Sequence, residues 1–219
     1  MPFTHLTFDC YGTLIDWNGG IELNLGGLLR KHGFTKDEKV FPIYVKLEAE
    51  QEAEYKSYRE VLRDTALEVA KKFGVSITND EATRFASSVP TWDPFSDTVE
   101  TMKELGRRGY KRVILSNIDR DILRNTISHS GIEVDGFITA EDVGSYKPAE
   151  GHWKRFFEEY STSKSETLHV AQSIYHDITP TCRLGITNAW INRYDQTKPS
   201  DATPSFTFSD LKSLLSLLT

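Results

Sequence analysis

The second half of the chain alternates short apolar runs with amphipathic stretches, and this order restricts the possible fold more than any other feature of the sequence. Strands are predicted at residues 111–116, 136–139, 167–171, 188–192 and 206–208. Helices are predicted at residues 97–108, 122–129, 151–160, 178–184 and 211–218. Strands that alternate with helices form a doubly wound parallel sheet, so the expected fold class is α/β with a Rossmann-like core.

Residues 17 to 92 have a different, helical character. Helix-forming residues dominate residues 40–60, and the apolar spacing continues at helical period through residues 58–73. Shorter helices are predicted at residues 21–31 and 82–88. The sequence therefore predicts a core domain of residues 1–16 and 93–219, with residues 17–92 inserted as a small helical cap.

Charge and composition restrict the partners. The chain has 219 residues, 38% of them hydrophobic, and a formal net charge of −6 with the acidic residues scattered. No apolar run reaches the roughly 20 residues that span a bilayer, and no signal peptide is recognised. Two cysteines suit a reducing compartment. We expect a cytoplasmic protein that binds neither nucleic acid nor membranes.

The stretch 5–15 suggests catalysis. A short apolar run ends at Asp9, and a tight loop with Gly12 and Thr13 follows. Parallel strands deliver ligand-binding groups to their carboxyl ends, where a carboxylate can act as a nucleophile and form an ester intermediate. A strand followed by an acidic turn is the simpler alternative.

Three later segments place further polar residues after predicted strands. Ser116 and Asn117 end the strand at 111–116, where they could hydrogen-bond a substrate or cap the next helix. Lys147 precedes a proline and could keep Asp9 ionised, or remain solvated. Asp177 follows the strand at 167–171 and begins a helix.

These four segments, in this order, resemble the haloacid dehalogenase superfamily. Tyr11 stands where most members carry a second aspartate, which resembles the type II 2-haloacid dehalogenase branch. The resemblance implies that Asp9 is the nucleophile, Lys147 contacts it, and Asp177 positions the hydrolytic water. It also implies a small carboxylate substrate. The residues expected to bind that substrate are Tyr11, Thr13, Ser116, Asn117, Trp153, Ser173 and His176.

The same resemblance implies no cofactor and no metal. Magnesium-dependent phosphatases of the superfamily carry acidic residues where this chain has Tyr11 and Gln172. A glutamine cannot match the charge of a carboxylate toward a hard cation. Relatives of this kind are often dimers, so a homodimer is a further expectation.

Two departures from the branch keep alternatives open. Trp153 replaces a family tyrosine, and residues 41–48 lack the arginine that helps remove the halide in classical members. Several stretches also resemble azetidine-2-carboxylate hydrolases, which displace an amine by opening a strained ring. His176 or Tyr11 could protonate that amine. A magnesium-dependent phosphatase and a catalytically silent binding protein are the remaining alternatives.

Overall fold

The computed structural model describes residues 3–197, 200 and 202–218. Within them one sheet has six strands, which are β1 (His5–Phe8), β2 (Lys111–Ser116), β3 (Gly136–Thr139), β4 (Thr167–Ala171), β5 (Thr187–Ile191) and β6 (Phe206–Phe208). All neighbouring strands pair in parallel, in the order β3-β2-β1-β4-β5-β6. The predicted doubly wound parallel sheet is confirmed.

The central strand β1 pairs with β2 on one side and with β4 on the other. Phe8, its last residue, lies opposite Ile114 and Val170. The carboxyl ends of these three strands therefore meet at one edge of the sheet, and the residues that follow them come together there.

Five helices of the core pack around this sheet or lead into its strands. They are α6 (Thr98–Arg107), α7 (Arg120–Ser130), α8 (Ala140–Val143), α9 (Gly151–Tyr160) and α10 (Thr179–Leu184). Both faces of the sheet are covered, as strand β2 shows. Val113 and Leu115 pack with α9 on one face, and Ile114 packs into the main core on the other. Such two-sided burial explains the continuous apolar run of this strand.

The C-terminal segment differs from its prediction. In place of a helix over residues 211–218, the chain forms a 3-10 helix, Lys212–Ser216. The hydroxyl of Ser216 donates to the carbonyl of Ser213, and the carboxylate of Asp210 accepts from the N–H of Ser213. These local side-chain bonds compete with α-helical pairing and favour the tighter turn.

The inserted segment is helical, as expected. Its elements are α1 (Trp17–Ile21), a π-helical stretch (Glu22–Gly26), α2 (Gly27–Lys31), α3 (Phe41–Gln51), α4 (Tyr58–Lys72), α5 (Asn79–Ser88) and a 3-10 turn (Val89–Thr91). No helix among the residues described is long and apolar enough to cross a membrane.

The prediction of continuous helix over residues 40–60 is wrong at residues 52–57. Helix α3 ends at Gln51, and α4 begins after Ser57. Ser57 and Glu60 form a capping box, in which each side chain accepts from the backbone N–H of the other residue. This reciprocal cap fixes a helix start inside a stretch of good helix formers.

The two segments that connect cap and core lie side by side. The N–H of Asp16 donates to the carbonyl of Asp93 at 3.0 Å, and the N–H of Phe95 donates to the carbonyl of Leu14 at 3.0 Å. The division into a core of residues 1–16 and 93–219 and a cap of residues 17–92 stays a prediction. In this division the chain passes twice between core and cap, and the two connecting segments are hydrogen-bonded to each other.

Candidate active site

A cavity of about 1080 Å³ lies at the carboxyl edge of the sheet. The core contributes Asp9, Ser116 and Lys147 to its wall, and the helical insert contributes Trp17 and Glu48. The cavity therefore joins the predicted nucleophile to side chains of the cap.

Asp9 follows β1 and lies at the base of this cavity with 7% of its surface exposed. Its Oδ1 accepts from Nζ of Lys147 at 2.9 Å, and its Oδ2 accepts from the hydroxyl of Thr13 at 2.8 Å. Each oxygen thus has one donor that holds it. This arrangement fixes the carboxyl group at the position where parallel sheets bind ligands.

Lys147 uses all three of its ammonium protons. Besides Asp9, it donates to the carbonyl of Leu115 at 2.8 Å and to Oδ1 of Asp177 at 2.7 Å. Burial alone would lower the pKa of Lys147, but the carboxylates of Asp177 and Asp9 outweigh burial and raise it. The buried cation is therefore stable, and it is shared by its predicted partner Asp9 and by Asp177, for which no contact with Lys147 was predicted.

Asp177 is fully buried next to this cation. Burial would raise its pKa, but Lys147 and then His169 hold the pKa well below its usual range. Its Oδ1 also accepts from Nε2 of His169 at 2.9 Å. Its Oδ2 is buried and has no hydrogen-bond partner among the residues described, and Asp177 itself is not among the residues that line the cavity.

His169 is a site residue that the sequence reasoning missed. It lies in β4 opposite Thr7 of β1, and the hydroxyl of Thr7 is 2.8 Å from Nδ1. A carboxylate only accepts, so Nε2 carries the proton toward Asp177. A histidine within an otherwise apolar buried strand was the available signal, since buried polar groups need partners.

Ser116 and Asn117 do not cap the following helix. Asp119 occupies the N-cap position of α7. The hydroxyl of Ser116 makes no hydrogen bond within the described residues, and Ser116 lines the cavity. Asn117 binds the backbone of Lys147 through both ends of its carboxamide. The predicted substrate-binding amide therefore mainly holds the lysine loop, although Asn117 also borders the cavity.

Tyr11 lines the cavity, but its hydroxyl is engaged elsewhere. The hydroxyl of Thr126 in α7 uses its proton to donate to the carbonyl of Ile122. Its oxygen therefore accepts the hydrogen bond from the hydroxyl of Tyr11, which lies 2.7 Å away. Burial raises the pKa of Tyr11 well above its usual range. The expectation that Tyr11 could protonate a displaced amine is not supported by this geometry.

Thr13 supports the nucleophile and does not line the cavity. It donates to Asp9 and accepts from the N–H of Gln172 at 2.8 Å, which ties the loops after β1 and β4 together. Arg193, which sequence reasoning also missed, donates to the carbonyl of Thr13 from Nε and Nη2. Thr13 is fully buried, so the predicted substrate contact is replaced by a positioning role.

Trp153 lies away from the cavity, contrary to the expectation. It packs in a separate buried cluster with Val113, Leu115 and Phe156, and its ring meets that of His169 edge-on at 5.5 Å. Trp153 lies on the side of α9 that packs against the sheet. The indole therefore supports the far side of His169 and not the substrate.

Ser173 and His176 both border the cavity. Ser173 caps the π-helical stretch Ile174–Ile178, and its hydroxyl accepts from the N–H of His176 at 3.1 Å. Nε2 of His176 lies 3.3 Å from Oε2 of Glu52, the residue that follows α3, without hydrogen-bond geometry. Burial lowers the pKa of His176, but Glu52 more than compensates, and the net pKa is raised.

The residues around Asp9 do not fit a divalent cation. Both oxygens of Asp9 already have donors, and the ammonium of Lys147 lies between Asp9 and Asp177. The side chain of Gln172 donates to Gln196 at 3.0 Å. No cluster of three or more acidic, histidine or cysteine ligands occurs in the part of the chain that the structure describes.

The sequence model of haloacid dehalogenase-like hydrolases matches residues 3–179. The chain belongs to this family. It is therefore an enzyme of the hydrolase class, and the family resemblance drawn from the four sequence segments is confirmed.

Relatives of this haloacid dehalogenase-like hydrolase include dehalogenases. An (S)-2-haloacid dehalogenase of Pseudomonas sp. (strain YL) is 24% identical over 74% of this chain and 71% of its own. Haloacetate dehalogenase H-2 of Moraxella sp. (strain B) is 21% identical over 97% of this chain and 96% of its own.

A solved structure has the same fold. The L-2-haloacid dehalogenase of Xanthobacter autotrophicus with chloropropionic acid covalently bound superimposes with a TM-score of 0.86 at 18% identity. It covers 99% of this chain and 98% of its own. The match extends over the helical insert as well as the sheet.

Proposed function

We propose that this enzyme displaces a leaving group from the carbon next to a carboxylate, as 2-haloacid dehalogenases do, through an ester on Asp9. The observation that carries the proposal is the Asp9 carboxylate, which is fixed by Lys147 and Thr13 at the base of a cavity. The relatives named above are dehalogenases, which supports the same class of substrate.

In the first step, an oxygen of Asp9 attacks the substrate carbon. A C–O bond forms, the bond to the leaving group breaks, and its electron pair departs with that group. The free hydroxyl of Ser116 faces the same cavity and is placed to hold the substrate carboxylate. Positioning of both reactants in one cavity supplies much of the rate enhancement.

In the second step, water attacks the carbonyl carbon of the Asp9 ester and releases a 2-hydroxy acid and a proton. The unpartnered Oδ2 of Asp177 can accept a hydrogen bond from that water and orient it. Lys147 and Thr13, which hold the two oxygens of Asp9, are preorganised donors for the developing oxyanion. Lys147 thus supplies the positive charge, and we propose that no metal is needed.

Halide release from the two enantiomers of 2-chloropropionate, without added metal, tests this function. A single turnover in ¹⁸O-labelled water should place the label in Asp9 and not in the product, because water attacks the ester. Asp9→Asn should abolish turnover, whereas Asp80→Asn, on the exposed start of α5, should not. Label in the product after one turnover, or full activity of Asp9→Asn, would refute the mechanism.

One observation favours ring opening of a small cyclic amino acid such as azetidine-2-carboxylate as a second candidate. Among the described residues no arginine lines the cavity to receive a departing halide, and the cap wall carries the acidic side chains of Glu48 and Glu52. An acidic wall favours a cationic leaving group over a halide ion. Ring opening uses the same Asp9 ester and differs only in the group displaced.

A further inference from the structure

Exposed apolar side chains gather at the outer part of the cavity. Within the residues that the structure describes, five large apolar or tyrosine side chains are exposed. Three of these five, Val45, Tyr175 and Tyr194, line the cavity, with exposed fractions of 40%, 65% and 39%. Asp9, at the base, is almost fully buried. Single exposed apolar residues are common, but several in one concave site mark a binding surface.

Both the cap and the core contribute an apolar wall to this outer part. On the cap side, Pro42, Val45 and Ala49 line the cavity, and all three are exposed. Their spacing of three and four residues places them on one face of α3. On the core side, Ile174 and Tyr175 of the π-helical stretch line the same cavity. The apolar surface is therefore continuous with the site that holds Asp9.

The charged residues of the outer part are engaged elsewhere or reach into water. Oδ1 of Asp16 accepts from an N–H of α1 at 3.0 Å, and Oε1 of Glu22 accepts from the first N–H of α3 at 2.9 Å. Lys39 and Lys46 border the cavity but are exposed. Their long stems allow the ammonium groups to stay hydrated while a ligand is bound.

Glu48, the most buried acidic residue of the cap wall, is mainly uncharged at neutral pH. Burial, and then the charge of Glu52, raise the pKa of Glu48 to about 8, against smaller opposing effects of Tyr58 and His176. Oε1 of Glu48 accepts from the hydroxyl of Tyr58 at 2.7 Å. Oε2 of Glu52 lies 3.3 Å from Nε2 of His176. The apolar side chains are thus the part of this wall that remains free to contact a ligand.

The cavity is much larger than a short 2-haloacid requires. Its volume is about 1080 Å³, whereas pockets of about 300–1,000 Å³ enclose drug-sized molecules. A molecule such as 2-chloropropionate is only about as large as three water molecules, each of which occupies roughly 30 Å³ in the liquid. A substrate that fills the cavity therefore extends well beyond the carbon that Asp9 attacks.

We propose that the outer part of the cavity binds an extended apolar group, alkyl or aryl, carried by the carbon that Asp9 attacks. This inference rests on the proposed function and narrows its substrates to 2-substituted carboxylates with a large hydrophobic side chain. Asp9 and Ser116 at the base act on the reacting end of the substrate, and Val45 and Tyr175 select its side chain. The exposed tyrosine rings suit an aryl group as well as an alkyl chain.

Two carboxylates that carry no leaving group test this binding separately from the reaction. Propionate and octanoate are titrated into the enzyme, and the two Kd values are measured by ligand-observed NMR. Burial of one methylene group strengthens binding about 4-fold. Since octanoate is longer by several methylene groups, it should bind about 100-fold more tightly than propionate or better.

Substitutions in the two walls locate the bound chain. Val45→Ser and Tyr175→Ser each remove apolar surface, and each should reduce the ratio of the two affinities by about 10-fold. Leu23→Ser is the matched control. Leu23 is an apolar cap residue with 74% of its surface exposed, and it is not among the described residues that line the cavity. Its substitution should leave the ratio unchanged.

Halide release connects this binding to the reaction. The value of kcat/KM for 2-chlorooctanoate should exceed that for 2-chloropropionate by about 100-fold, because the same methylene groups are buried when the chain is bound. Val45→Ser and Tyr175→Ser should reduce this advantage, and Leu23→Ser should retain it. Circular dichroism shows whether each variant is folded.

The outcomes separate this inference from the proposed function. Equal affinities for propionate and octanoate, or a ratio that neither wall variant changes, overturn the apolar site and leave the Asp9 ester standing. A change of oligomeric state in Val45→Ser with an unchanged ratio also overturns it, because the walls then cover a second copy of the chain. Tight octanoate binding that depends on Val45 and Tyr175, without halide release or ¹⁸O label in Asp9, supports the apolar site and refutes the ester chemistry.

Discussion

Asn117 binds the backbone of Lys147 at both of its polar groups. Its Nδ2 donates to the carbonyl of Lys147 at 3.0 Å, and its Oδ1 accepts from the N–H of Lys147 at 2.6 Å. The residue after the strand β2 thereby fixes the loop that carries the buried ammonium group. A carboxamide suits this task because it offers a donor and an acceptor side by side.

Removal of this clamp should slow the reaction more than it weakens substrate binding. Asn117→Ala loses two hydrogen bonds, each worth about 0.5–1.5 kcal/mol. If most of that energy positions Lys147, kcat should fall about 10-fold to 100-fold with little change in KM. Steady-state kinetics on the active substrate measure this. Asn125→Ala, at an exposed position of α7, should match the unaltered enzyme; an equal loss there would contradict the assignment.

Lys147→Met should destabilise the fold as well as abolish activity. The change leaves Asp9 and Asp177 buried without their shared cation, and loss of one partner of a buried ion pair costs about 3–5 kcal/mol. Urea unfolding measures the difference. Lys154→Met removes an exposed ammonium on α9 that pairs with Glu150 and should cost little. Equal stabilities for the two variants would show that the buried network contributes nothing.

Glu48 should make stability fall as pH rises toward 8. Its pKa in the folded state is about 8, against 4.5 for an ordinary glutamate, so between these values the folded state keeps a proton that the unfolded chain loses. The contribution is complete below pH 4.5 and is lost as pH rises through 8. The slope approaches about 1.4 kcal/mol per pH unit. Urea unfolding at several pH values between 4.5 and 8 measures this slope. Glu48→Gln should remove the slope, whereas Glu50→Gln should retain it.

Asp119 should hold the cap helix against the core. Its two carboxylate oxygens accept from the N–H groups of Tyr58 and Arg59 at 2.7 and 2.9 Å, at the start of α4. Asp119→Ala should cost about 0.5–2 kcal/mol, as the loss of a helix cap does. Limited proteolysis should then cleave residues 52–57 faster. Asp121→Ala removes an exposed pair with the Arg59 side chain and a bond from the N–H of Ile122, but no bond to the backbone of α4, and should not change cleavage.

The parts of the fold that were predicted correctly are those with local signals. Strand β2 contains an apolar run at residues 113–115 that is buried on both faces, and Asp9 follows the neighbouring strand β1 at the edge where ligands bind. The gap between α3 and α4 was missed because it depends on one capping box, Ser57 with Glu60, within residues that favour helix.

The site was predicted less completely because its contacts join distant parts of the chain. The contact of Lys147 with Asp9 follows from the family resemblance, but the bond of Lys147 to Asp177 was not predicted. The pairing of Thr7 with His169 depends on strand register. Glu48 lies in a cap helix whose position over the sheet has no local signal. Trp153 was misplaced for the same reason, since only the docking of α9 decides which way its ring points.

The neighbouring positions of the two connecting segments have an evolutionary consequence. Leu14 and Asp16 on the way out pair with Phe95 and Asp93 on the way back, so the helical insert begins and ends at almost the same point of the core. Recombination at this point could exchange the whole insert without moving Asp9, which lies a few residues upstream. The reaction chemistry and the range of compounds that it acts on can therefore be inherited separately.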